Sequence, residues 1–179
     1  EERLTAVAAA QSQRIRRRLS DPFIVAGQLA ELNRLLGGLE GDGLPTLMMS
    51  REEMVRVLRN SLEQNPDLLG VYVGWEPNAF DDLDQYFEGV KTDGYDGTGR
   101  FMPWWFRNAQ GEIELAPLAD LESETVTSTG VRQGEYYLCP RDSLKPCVTD
   151  PAPYDLGGTQ VMLSSFTVPI VSEDQFRGI

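Results

Sequence analysis

The sequence predicts an α+β domain in which a long N-terminal helix precedes an antiparallel sheet. Three observations carry this. Residues 1 to about 36 hold an apolar seam at three- and four-residue spacing, the period of a helix face. Leu69 to Trp75 alternates Leu, Val, Val and Trp on one side with Gly, Tyr and Gly on the other, the period of a half-buried strand. Beyond it, short apolar and aromatic runs are punctuated by Gly, Pro, Asn and Asp at turn positions.

The seam runs through Leu4, Val7, Ala8, Gln11, Ile15, Arg18 and Leu19, and resumes as Ile24, Leu29, Leu32 and Leu36. Between the two, Ser20-Asp21-Pro22 has the chemistry of a helix restart, with a cap and a first-turn proline, so a bend is expected there. The Arg14, Arg16, Arg17, Arg18 cluster reads as a solvated helix face. Gly37-Gly38 and Gly41-Asp-Gly43 end the helix. Ser50-Arg-Glu-Glu53 is a capping box that opens a short helix through Met54, Val57, Leu58 and Leu62, closed before Pro66. After the strand at Leu69–Trp75 comes an acidic, turn-rich stretch to Gly99. Arg100–Arg107 reads as an aromatic strand, Asn108–Gly111 as its turn and Ile113–Leu115 as the return. Glu135–Cys139 and Pro146–Thr149 are expected to form a hairpin pair. Gly157-Gly158 turns the chain, Val161–Val171 reads as one long strand, and Phe176–Ile179 begins another. The sum is one meander of about five strands with long loops.

Composition excludes several functions. The chain has 179 residues, 41% hydrophobic and 25% charged, which suits one globular domain with a real core. A net charge of −12 argues against nucleic acid and anionic membrane surfaces. It suits a cationic ligand, although acidity usually means only solubility. Histidine is absent, which removes Ser-His-Asp and Cys-His catalysis and the commonest transition-metal ligand. The two cysteines, Cys139 and Cys147, flank a Pro140–Pro146 turn. They either close a disulfide across a hairpin, fitting an oxidising compartment, or stay as unpaired thiols. No apolar run approaches the roughly 18–20 residues a bilayer requires. The chain starts inside a helical pattern and stops without a terminating turn, so both ends read as cuts in a longer protein.

Trp104-Trp105-Phe106 is the most unusual feature. Adjacent tryptophans on a strand point to opposite faces, so both cannot fill one core. Either one packs in the core and the other under a loop, or they wall a pocket whose π faces attract ammonium groups. Tyr72, Trp75, Tyr136, Tyr137 and Tyr154 could complete an aromatic cage, with Asp150 or Asp155 as counter-charge. Asp93–Gly99 invites a calcium reading but lacks the EF-hand spacing, and turn chemistry accounts for it. Asp81, Asp82 and Asp84 read as a helix start or solvated loop. No helix follows Gly94, Gly97 and Gly99, so they do not form a phosphate loop. A glycosidase-style carboxylate pair would have to use Glu76 and Asp150, which nothing in the sequence brings together.

Taken in order, Leu-Leu-Gly-Val-Tyr-Val-Gly-Trp-Glu-Pro-Asn-Ala, Asp-Gly-Thr-Gly-Arg-Phe-Met-Pro-Trp-Trp, Tyr-Tyr-Leu, Cys-Val-Thr-Asp-Pro and Leu-Ser-Ser-Phe-Thr-Val-Pro-Ile-Val form a pattern. It resembles the membrane-distal half of double Cache domains, the extracytoplasmic sensors of methyl-accepting chemotaxis proteins and of some histidine kinases and cyclases. The resemblance spans nearly the whole chain. It implies a PAS-like antiparallel sheet, with residues 1–45 as a dimerising helix that leads to a membrane span and 46–179 as the ligand-binding module. It further implies a periplasmic location in a membrane-tethered homodimer, with no catalysis, cofactor or metal. The alternatives are the input domain of a sensor histidine kinase or cyclase, or a free periplasmic small-molecule-binding protein.

By position, Trp104 and Trp105 match the paired aromatics of the family's ligand motif. The expected ligand set is Trp104, Trp105, Tyr72, Trp75, Tyr137, Asp150 and Tyr154. In the amino-acid-binding branch an Arg two places before the aromatic pair holds the ligand's carboxylate. Here that place is Met102, and Arg100 lies a full strand repeat away. The departure points to an amine without a carboxylate, with neutral ligands such as purines still open. The family's Tyr-x-Asp is altered around Asp150–Asp155, and a further family Asp would fall beyond Ile179.

Overall fold

The computed structural model describes residues 2–37, 48–90, 94–156 and 158–179. The expected glycine break at Gly38–Gly43, the 45/46 boundary, Asp93 and Gly157 lie outside the described residues. Helix α1 spans Glu2–Gly37 and α2 spans Arg51–Gln64. Strands β1 (Gly70–Tyr72), β2 (Pro103–Arg107) and β3 (Ile113–Pro117) form an antiparallel sheet in that order. Helix α3 covers Glu135–Ser143. Six short strands follow: β4 (Cys147–Val148), β5 (Ala152–Leu156), β6 (Thr159–Leu163), β7 (Phe166–Thr167), β8 (Ile170–Ser172) and β9 (Gln175–Gly178). They pair β4 with β7, β5 with β6, and β8 with β9.

Local chemistry accounts for the elements that the pattern foresaw. Ser50 accepts from the Glu53 amide at 3.2 Å while the Glu53 carboxylate takes the Ser50 amide at 2.8 Å, closing the capping box. The inward stripe of α2, Met54, Leu58 and Leu62, is fully buried. Along β1 and the extended residues that follow it to Trp75, the alternation divides two cores. Val71, Val73 and Trp75 join the α2 stripe, while Tyr72 faces a second core containing Met102, Leu118, Leu121, Tyr136 and Tyr137.

Four expectations are corrected. First, α1 does not restart at Ser20–Pro22 but carries Pro22 inside one helix. A mid-helix proline forfeits one hydrogen bond. The turns beyond it are held by packing on β7 and β8, where Phe23 meets Phe166 edge-on at 5.1 Å. Second, Glu135–Cys139 is the start of α3 and not a strand, so the cysteine hairpin does not exist. Tyr136, Tyr137 and Leu138 are all buried, which a two-fold alternation cannot achieve, and tertiary burial overrides tyrosine's strand preference. Gly134 caps the helix where a side chain could not fit, since a Cβ there would lie 2.3 Å from the Leu121 carbonyl oxygen. Third, Val161–Val171 is three strands rather than one, with Pro169 unable to donate between β7 and β8. Fourth, the single meander is a three-stranded sheet plus three two-stranded ones among the described residues. An isolated bridge between Trp75 and Gly178 ties β9 to the segment that follows β1.

Cys139 of α3 and Cys147 of β4 form a disulfide, with their Cα atoms 6.2 Å apart. It anchors the end of α3 to the strands that follow, across the loop after Leu144.

Candidate functional site

A cavity of about 460 Å³ lies between the C-terminal half of α1, the β1 side of the sheet and the β5–β6 hairpin. The strand β1 is at the edge of its sheet, so its unpaired side borders this space. The aromatic lining is Tyr72, Trp104, Tyr136 and Tyr154, with Phe166 of β7 beside them. Tyr136 meets Tyr72 edge-on at 5.8 Å and Tyr154 edge-on at 5.9 Å, giving a continuous set of rings. Trp104 stands opposite Tyr72 in the β1–β2 register and packs on Phe106 at 4.7 Å. Its place depends on Gly70, because a Cβ on that residue would lie 2.5 Å from the indole nitrogen.

Hydroxyl partners fix the rings. Tyr72 shares a hydrogen bond with Thr167 at 3.1 Å, and Tyr136 donates to the Ala119 carbonyl. Tyr154 Oη is buried without a partner in the described structure. Asp67, Asp120 and Asp155 also line the cavity, and no Lys or Arg does so among the described residues. Asp155 accepts the Gly158 amide at 2.8 Å and Asp120 accepts Gln133 Nε2 at 3.0 Å, so each carboxylate keeps spare acceptor capacity.

The structure separates the residues that the sequence grouped together. Tyr72, Trp104 and Tyr154 meet at the cavity. Trp105 is on the other face of β2, where its indole N–H donates to the Val55 carbonyl at 2.8 Å and Arg59 sits 5.2 Å over the ring. Trp75 is fully buried against Phe80 at 5.2 Å and does not line the cavity. Tyr137 is fully buried against Phe176 and does not line the cavity; its hydroxyl donates to Glu76 and accepts from Arg100. Asp150 is exposed and outside the lining, where Asp155 stands instead. Glu76, the suggested catalytic carboxylate, is engaged in the Tyr137 hydrogen bond. The lining residues that escaped the sequence reading include Asp67 and Asp120 in loops and Asn33 in the apolar stripe of α1. Asn33 left a signal there, as a polar residue at a core-facing helix position.

Neither Met102 nor Arg100 presents a free cation. Met102 is buried in the second core. The Arg100 guanidinium is spent on the Trp75 carbonyl at 2.5 Å, Glu122 at 2.7 Å and Tyr137.

Burial pushes the hydroxyls of Tyr72, Tyr136 and Tyr137 well above the usual phenol range, and that of Tyr154 up to about 12. For Tyr137, the hydrogen bond to the Glu76 carboxylate pushes the same way. An unfolded tyrosine ionises near pH 10. The folded protein holds these protons longer, so their contribution to stability is complete below about pH 10 and is lost as pH rises above it. In an alkaline titration followed by phenolate absorbance, these four are expected to ionise together with unfolding. Normal reversible titration of all tyrosines near pH 10 in the folded state would contradict this.

Among the described residues no group of three or more acidic or cysteine side chains could hold a metal ion, and no helix is long and apolar enough to cross a membrane.

This architecture, a long helix against small antiparallel sheets that enclose an aromatic cavity, is that of a ligand-sensing domain. No family model matches the chain. It is 32% identical over 131 residues to the methyl-accepting chemotaxis protein TlpQ of Pseudomonas aeruginosa, covering 72% of this chain and 18% of that receptor's length. Among solved structures, the extracellular domain of mmHK1S-Z3, assigned as a histidine kinase, is 28% identical with a TM-score of 0.64, covering 93% of this chain and 50% of the other. The periplasmic sensory domain of the Campylobacter jejuni chemoreceptor Tlp1 shares the fold alone, at 11% identity and a TM-score of 0.68, with 99% and 57% covered. The chain is a Cache-type extracytoplasmic sensor domain, of the kind that chemoreceptors and sensor histidine kinases carry.

Proposed function

We propose that this domain senses a small organic amine, held in the aromatic cavity, as the input of a membrane-tethered chemoreceptor. The observation that carries this reading is the lining, five aromatic rings and three aspartates with no basic side chain among the described residues. A cation over such rings gains about 0.5–2 kcal/mol per good contact, more as water is excluded. A carboxylate ligand would face the aspartates without a guanidinium, since Arg100 is already paired three ways. The relation to TlpQ supports the chemoreceptor output, and the likeness to mmHK1S-Z3 supports a histidine kinase as the second reading.

Exposed Leu4, Val7, Ile15 and Leu19 along the first half of α1 support its expected role as a helix that pairs with a second copy. Ligand would act by favouring one packing of α1 on β7 and β8 over another, to the extent of its differential affinity for the two.

A thermal-shift screen of amines against amino acids, dicarboxylates and purines tests the reading. Amines are expected to raise the melting temperature at concentrations above Kd, as mass action requires. Trp104→Ala should weaken the best amine by about 1–2 kcal/mol, or about 5–30-fold. A carboxylate or purine hit with no amine hit would sink the proposal.

A further inference from the structure

We infer that Asn33 is a ligand contact on α1 that accepts an N–H hydrogen bond from the bound amine; this rests on the amine reading above. The inward stripe of α1 is otherwise apolar: Val25, Ala26, Leu29, Ala30 and Leu36. Asn33 interrupts it, is 0% exposed and lines the cavity. Its Nδ2 donates to the Leu29 carbonyl at 2.7 Å. A carbonyl can only accept, so the nitrogen must occupy that position and the oxygen is the atom left over. That oxygen, Oδ1, is buried and has no hydrogen-bond partner in the described structure. An unmet buried acceptor is costly, and Leu or Ala at this position would avoid the cost altogether.

Among the described residues, Tyr154 Oη, on the β5 wall of the same cavity, is the other lining side chain with an unmet buried polar atom. An ammonium group carrying N–H bonds satisfies both kinds of acceptor, whereas a quaternary ammonium can satisfy neither. The inference therefore narrows the ligand class to protonated primary or secondary amines. It also gives the ligand a direct hold on α1, the helix that packs on β7 and β8, in addition to its hold on the aromatic wall.

The test uses the 179-residue chain and a panel of primary alkyl and aryl amines, each paired with its trimethylammonium analogue, with Kd measured by calorimetry. The wild type is expected to bind the primary member more tightly. Asn33→Leu should weaken primary amines at least tenfold and leave the quaternary analogues unchanged, while the unliganded melting temperature holds or rises. A merely structural asparagine would do the reverse, lowering the melting temperature and sparing the primary-over-quaternary preference. Asn33→Ser serves if Asn33→Leu does not fold, with the same loss expected. Hydrogen exchange gives a second readout: primary amine should protect α1 amides near Asn33 in the wild type and not in the variant. Equal affinities of wild type and variant for primary amines would overturn the inference while leaving the amine reading intact. Failure of the wild type to bind any amine in the panel would overturn both.

Discussion

Replacing Arg51 with Ala is expected to cost about 3–5 kcal/mol of unfolding free energy, because it strands buried carboxylate charge. Arg51 is 3% exposed at the start of α2. Its Nε and Nη2 take Asp81 in a fork at 2.8 and 2.5 Å, Nη2 also reaches Asp84 at 2.6 Å, and Nη1 donates to the Gly99 carbonyl at 2.8 Å. The guanidinium lies 4.3 Å over the Phe87 ring. Asp84 in turn accepts the Asn78 amide at 2.7 Å. One side chain thus fastens the acidic loop after Trp75 to the helix. Gly99 completes the fit: its φ is +79° and a Cβ would lie 2.0 Å from the Asp84 carbonyl. Arg51→Lys should recover only part of the loss, since an ammonium cannot reproduce the fork. Urea denaturation followed by tryptophan fluorescence reads both variants, and an unchanged midpoint in Arg51→Ala would show that the cluster contributes nothing.

Trp75→Ala should cost a similar amount, about 3–5 kcal/mol, through the cavity left among Phe80 and its neighbours. Trp75→Phe is expected to be far milder. The buried indole N–H has no partner among the described residues, so the smaller ring removes an unmet donor along with some packing. The Trp75 main chain, which holds Phe101 through its amide and Arg100 through its carbonyl, is retained in both variants. Amine affinity should be the same in Trp75→Phe as in the wild type, because Trp75 does not line the cavity. A large affinity loss without a stability loss would return Trp75 to the ligand set that the sequence suggested.

The two tryptophans of β2 show how far a sequence reaches. Period two established that Trp104 and Trp105 face opposite ways, but not which of them meets the cavity. That depends on where α2 lies, and α2 covers the Trp105 face, taking its indole N–H at Val55. Tyr136 and Tyr137 fared likewise: neighbouring tyrosines read as a strand, while burial of three consecutive residues required a helix. Asp81, Asp82 and Asp84 read as a helix start or a solvated loop, and Asp84 does open a short 3-10 helix, Asp84–Tyr86. The pairing of Asp81 and Asp84 with Arg51 stayed hidden because Arg51 is remote in sequence. Ion pairs between distant segments leave no local signal.

By itself the sequence determined the local devices and the exclusions: the capping box of α2, the two-sided alternation that begins in β1 and the loss of histidine chemistry. Each follows from residue type and short-range spacing, which act without tertiary context. The tertiary structure decided which aromatics share a cavity, that Asp155 rather than Asp150 reaches it, and that Asn33 presents an unmet acceptor there. These depend on packing between segments far apart in the chain, where burial and steric fit outweigh local preference.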